Sequence, residues 1–276
     1  MGTWIMAGIT FREAARRKIL WTALIAGLAF LAVFAIGLRI QIDDFQGAPV
    51  IPFLRYEILS GMLMVGLYAV DLLAVVMAIL TSVDTVSGEI TSGTIHAIAT
   101  KPISRWQVLV GKWLGFIGMI AAYIAIMFGG TIAVGYWVGG VVPQHPVRGA
   151  LLVFLECILA LTVTFMFGTW FSTLTNGVLV LGLHGLAFLG GWMEQMSGFT
   201  QSSHLVMLGI ASSLIMPSES IWRRAAFEMQ SPLAGSLQFS PFADVSLPSP
   251  AMIGYACAYL LVALGIGIYH FNQRDL

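Results

Sequence analysis

Charge is what this chain has least of. Only 9% of its 276 residues are Asp, Glu, Lys or Arg, while 58% are hydrophobic; a soluble domain carries about 25% charged residues. That is too little charge to coat a water-facing surface, so lipid must cover much of the chain. The formal net charge is zero, which leaves no basic field to attract nucleic acid. Cys157 and Cys257 both lie in apolar runs and are read as packing residues rather than a disulfide staple. His96, His145, His184, His204 and His270 are scattered without metal-ligand spacing, so no metal site is expected. No G-x-x-x-x-G-K-[ST] loop is present, so no nucleotide cofactor is expected in the chain itself. The first apolar run is long and lacks a small-residue cleavage site, which does not suit a signal peptide.

What is present is a series of apolar runs. A span needs roughly 20 apolar residues to cross a core about 30 Å thick. Ile19 to Leu38, Ile58 to Val83, Trp113 to Val142, Gly149 to Phe171, Gly177 to Met193 and Pro250 to Phe271 meet or approach that length. The expected fold is an all-α integral membrane protein of six transmembrane helices, in one domain over 1–276. Residues 1–18 are amphipathic, with Trp4, Phe11 and Ala15 on one face and Arg12, Glu13, Arg16 and Arg17 on another. Such a helix lies in the interface of the membrane, against lipid headgroups. Ser203 to Met216 is apolar but too short to cross, about 21 Å as a helix. The 194–249 segment around it is therefore expected to be extracytoplasmic or re-entrant. Within it, Ser218 to Met229 suits a short amphipathic helix on the outer surface. Ser172 to Asn176 is expected to turn between spans four and five, at Asn176-Gly177. Gly129-Gly130 and Gly190-Gly191 permit close approach of helices or local unwinding.

Orientation follows from basic residues. Arg12, Arg16, Arg17, Lys18, Lys101, Arg105, Lys112 and Arg274 fall on one side; Arg39, Arg55 and Arg148 flank spans on the other. Both termini are thus expected to be cytoplasmic in a multi-pass protein of the cell membrane. The 84–105 loop is the only sizeable inner connection. It is polar and helix-compatible to Thr100; Pro102 then breaks it, and Ser104 is placed to cap the helix that runs into span three. A rigid protrusion of this kind suits a partner that pushes on it. Asp71, near the middle of span two, and Glu156, in the outer half of span four, are costly in lipid and face protein or water. Each is a candidate lining residue of a translocation path, or a carboxyl bonding a neighbouring helix. Their different estimated depths count against a membrane-embedded enzyme acting on a lipid substrate, the alternative from another class. A purely structural membrane protein is a third.

Glu89, Gly93-Thr94, Lys101-Pro102, Ser104-Arg105 and Gly111-Lys112 resemble the signature of ABC-2 type transporter permeases. The basic start, six spans, long outer connection and Arg-Asp-Leu end also fit. The resemblance implies a permease subunit that does no covalent chemistry and pairs with a separate ABC ATPase, which binds ATP and Mg. It implies a second copy of this permease or a similar one, in a type V exporter arrangement. It makes 84–105 the coupling helix, with Asp84, Ser87, Glu89, Gly93, Thr94, Lys101, Pro102, Ser104 and Arg105 as ATPase-coupling residues.

Overall fold

A computed structural model describes residues 2–47, 50–92, 104–200, 202–231 and 247–273. The helices are α1 (Gly2–Arg16), α2 (Lys18–Gly47), α3 (Pro52–Ser92), α4 (Arg105–Val134), α5 (Pro146–Gly168), α6 (Thr173–Thr200), α7 (Ser203–Ile215), α8 (Ser218–Met229) and α9 (Pro250–Gln273). Among the described residues, six helices are long and apolar enough to cross a membrane: α2, α3, α4 with its π turn Gly135–Gly139, α5, α6 and α9. No strand occurs among them. The all-α membrane fold expected from the apolar runs is therefore what the chain adopts.

Two ends can be told apart by contacts. At one, Arg105 Nη1 donates to the Asn272 carbonyl (3.4 Å) and Arg17 Nη1 to that of Thr81 (3.5 Å), while Ser87 Oγ and Thr173 Oγ1 lie 2.9 Å apart. The start of α4, the end of α9, the α1–α2 junction, the end of α3 and the start of α6 thus share this terminal end. At the other, distal end, Ser231 Oγ donates to Glu57 (2.9 Å), Arg148 pairs with Glu228 (3.2 Å), and the Gln144 amide donates to the Met229 carbonyl (3.2 Å).

This arrangement decides the course of α7 and α8, which meet at 103°. Helix α6 starts at the terminal end and α9 returns to it, so α7 and α8 must enter and leave from the distal end. The two form a sharply bent hairpin, the geometry of a broken span or of a re-entrant loop. Its second arm is not a surface helix, however. In α8, Trp222, Arg223 and Met229 are buried, and only Phe227 and its neighbours reach the surface. The amphipathic pattern there faces protein on both sides.

Other boundaries shift for identifiable reasons. The turn after α5 lies at Thr169–Ser172, not at Asn176-Gly177. Asn176 sits in the first turn of α6, buried, where its Nδ2 donates to the Thr164 carbonyl (2.9 Å). That bond uses the side chain that would otherwise favour a turn. Pro146 opens α5 at a position that needs no amide hydrogen. Gly140 closes the π turn in the left-handed region, φ 66°, which glycine adopts without steric cost.

Helix α1 packs along α4 by its small residues, with the Phe11 ring over Gly118 and Trp4 turned outward. Ala7, Thr10 and Ala14 are buried, and Trp4 is 75% exposed. A Cβ on Gly115 would lie 2.8 Å from both the Ala7 carbonyl oxygen and Thr10 Cβ, and one on Gly111 2.8 Å from the Thr3 carbonyl oxygen. Gly111 and Gly115 therefore let the two backbones touch, the usual basis of helix association where lipid removes the hydrophobic driving force. Gly129 and Gly130 lie within regular helix, and Gly130 faces Leu31 of α2; no unwinding occurs there.

Candidate functional site

The bend between α7 and α8 lies against the centre of the bundle. Gly190 and Gly191 on α6 make room for it. A Cβ on Gly190 would strike Ser212 Oγ of α7, and one on Gly191 would strike Glu219 Cγ of α8. A Cβ on Gly209 would in turn lie 2.6 Å from Glu194 Cβ and 2.9 Å from the Gly190 carbonyl oxygen. The hairpin is fastened by His184 Nδ1 to Ser218 Oγ (3.1 Å) and by a buried ion pair, Arg223 Nη2 to Glu194 Oε2 (2.8 Å).

This close seating brings three carboxyls from three helices together. Asp71 on α3 and Glu156 on α5 face each other, and Glu219 in the first turn of α8 is within electrostatic reach of both. All three are buried, Glu156 completely. Neither oxygen of Glu156, nor Oδ1 of Asp71, has a hydrogen-bond partner. The Tyr68 ring, one turn before Asp71, packs on Trp222 at 4.9 Å. The sequence-based assignment of Asp71 and Glu156 to different depths is therefore wrong. Depth counted along each apolar run takes no account of how α3 and α5 are set against one another, and so misplaces Glu156. Glu219 was missed because its segment was taken for a surface helix. Its i,i+4 relation to Arg223 resembles a solvated pair, whereas Arg223 is committed to Glu194.

The second group of predicted residues lies at the terminal end. The stretch from Asp84, read as helix-compatible, is helix as far as Ser92, and it continues α3 without a break, over 41 residues in all. Asp84 and Ser87 sit on its last described turns and both meet Thr173, the first residue of α6. Thr173 Oγ1 donates to Asp84 Oδ1 (3.2 Å) and lies beside Ser87 Oγ. Gly168 completes the contact, since a Cβ there would be 3.2 Å from Val86 Cβ and from Asn176 Nδ2. Glu89 lies on the same helix. Gly93, Thr94, Lys101 and Pro102 lie outside the described residues. Ser104 holds the N-cap position of α4 with extended backbone, but its side chain makes no capping bond. Gln107 N–H bonds to its carbonyl instead (2.9 Å). Arg105 reaches across to the end of α9. Gly111, which the resemblance placed in the motif, serves the α1–α4 contact.

At the distal surface, Glu228 lies between Arg148 and Arg224, at 3.2 and 2.8 Å. Partial burial acts to raise its carboxyl, but the two guanidiniums outweigh that and hold it below the ordinary value.

No curated protein matches the sequence. The family described as ABC-2 family transporter protein matches residues 4–276, nearly the whole chain. The chain belongs to that family and is a membrane permease component of an ABC transporter.

Proposed function

We propose that this permease is an exporter subunit driven by a separate ABC ATPase, which itself binds ATP and Mg and docks on the 84–105 segment. Both termini are then cytoplasmic, in the cell membrane, and two copies of the permease face each other across the substrate path. The observation that carries the reading is the continuity of α3. One helix, about 60 Å long at 1.5 Å per residue, joins Asp71 among the buried carboxyls to Ser92 beyond the grip on α6. A push at its terminal end moves α3, and Asp71 with it, as a rigid body, the ordinary form of large transitions. Asp71 and Glu156 line the path that this motion opens. The basic residues Arg12, Arg16, Arg17 and Lys18 at the terminal end support its cytoplasmic placement.

The test is capture and coupling. Tagged permease, purified from its native membranes, is expected to retain an ABC ATPase through purification. Glu89→Ala is expected to lower ATPase retention, with the permease itself inserted normally. Permease that never retains an ATPase, and shows none cross-linked from Cys at 89 in intact membranes, would sink the reading.

A further inference from the structure

Glu156 poses a chemical problem that the permease reading does not address. Its carboxyl is fully buried and neither oxygen has a partner. Asp71 stands beside it and Glu219 is within electrostatic reach of both, so three buried acidic groups act on one another. An isolated carboxylate in such a place is prohibitively costly, and like charges add to the cost.

Among the described residues, no cation acts on Asp71 or Glu156. Helix α3 contributes Tyr68, whose ring packs on Trp222. Helix α5 contributes Cys157, which faces Tyr123 of α4. Helix α6 contributes His184, bonded to Ser218, and Glu194. Arg223 of α8 acts on Glu219 from the same helix, but it is held by Glu194 at 2.8 Å. The described acidic residues, histidines and cysteines are not grouped as a metal-ligand set. A proton is the cation that fits a packed site. It turns a carboxylate oxygen into a donor, and the carboxyl opposite can accept it.

We propose that Asp71, Glu156 and Glu219 form an intramembrane proton-binding site, occupied while the α7–α8 hairpin is seated against α3 and α5 and emptied into water when those elements part. Each cycle then takes one proton from water onto a carboxylate and returns it. The three groups lie on three helices, so any rigid-body motion of α3 or the hairpin pulls them apart. The site is at a helix break deep in the bundle, where transporters of other folds place coupling ions. Its role in transport rests on the permease reading; its existence as a proton site does not.

The experiment uses an apolar carbodiimide on membranes containing the full chain. The reagent takes the proton of a neutral carboxyl on nitrogen while the carboxylate oxygen bonds to its carbon, and the adduct rearranges to a stable N-acylurea. Labelling between about pH 6 and about pH 9, a window above ordinary carboxyl values, is mapped by mass spectrometry. Adduct on Glu156, Asp71 or Glu219 is expected to fall at least about tenfold over a pH unit or two as the site empties. Asp71→Asn/Glu156→Gln/Glu219→Gln together are expected to abolish it. Absence of adduct, or a yield independent of pH, would overturn the site, the latter by showing a permanently neutral carboxyl. In the assembled transporter, Glu156→Gln is expected to displace the pH profile of ATP hydrolysis by about one unit. Where that variant does not assemble, Glu219→Gln serves. An unchanged profile in an assembled variant would overturn the coupling to transport. Labelling reads the permease alone, so the proton site and the ATPase partnership stand or fall separately.

Discussion

Single residues in this protein act mainly through what they leave unsatisfied. Arg223 and Glu194 form a buried pair, and removing one partner of such a pair leaves the other charged and alone, at about 3–5 kcal/mol. Arg223→Ala is therefore expected to lower the thermal unfolding midpoint in detergent sharply, and Arg223→Met with Glu194→Gln to recover most of the loss. Equal losses in the single and double variants would show that the pair is not the source. Gly115 acts by what it lacks. Gly115→Leu places carbon where the Ala7 carbonyl lies, and overpacking of this kind costs about 1–3 kcal/mol. Faster proteolysis of residues 2–16 with the spans intact is the expected result. Glu228 adds a pH-dependent fastening. Its carboxyl is held below the ordinary value, so its contribution is full above the unfolded carboxyl range, about pH 4.3, and is lost as pH falls through the folded value. Hydrogen exchange in the last turn of α8 is expected to quicken under acid, and to be pH-insensitive in Glu228→Gln.

Among the elements, the spans were legible and the hairpin only half so. Apolar length is a property of a run, and it identifies α2, α3, α4, α5, α6 and α9 without knowledge of neighbours. The shortness of α7 likewise excludes a crossing. The placement of α8 is different in kind. Its alternation of Trp222 with Arg223 looks like a helix half in water, because sequence does not say that a buried carboxylate, Glu194, waits for the arginine 29 positions earlier. Asn176 misled for the same reason, since its partner carbonyl is on another helix. The convergence of Asp71, Glu156 and Glu219 was hidden because it depends on how α3, α5 and α8 are set against one another in depth. The glycines at 190, 191 and 209 were the available signal, as small residues mark where something lies close. Cysteines at Ser203 and Glu228 check the hairpin. Both are expected to react with an impermeant reagent from one side, and Gln273→Cys only from the other. Access to Ser203 and Glu228 from opposite sides would make α7 and α8 a seventh span.

At the scale of the whole molecule, the question is how a push at the terminal end reaches the carboxyls. Helix α3 is the one described element that spans from the cluster to Ser92, and Asp84 and Ser87 tie it to the first residue of α6. The hairpin is seated on α6 through Gly190, Gly191 and His184. Moving the end of α3 thus displaces Asp71 directly and Glu219 by way of α6, while Glu156 stays with α5. Stiffness is essential to this route, because a flexible segment would absorb the displacement. Replacing residues 88–92 with Gly and Ser keeps the Asp84 and Ser87 contacts and softens only the handle beyond them, each Gly weakening helix by about 0.8–1.0 kcal/mol. The expected outcome is normal insertion and an assembled complex, with substrate-stimulated ATP hydrolysis reduced about tenfold or more, which corresponds to about 1.4 kcal/mol of lost coupling. Thr173→Val, which removes the hydroxyl shared by Asp84 and Ser87, is expected to weaken stimulation less, since Val86 still packs at Gly168. Stimulation within about twofold of the parent in the Gly/Ser variant, with the complex intact, would mean that force enters elsewhere. Helix α4 is the element that would then carry it. It follows the same segment directly, and it holds α1 along Gly111 and Gly115.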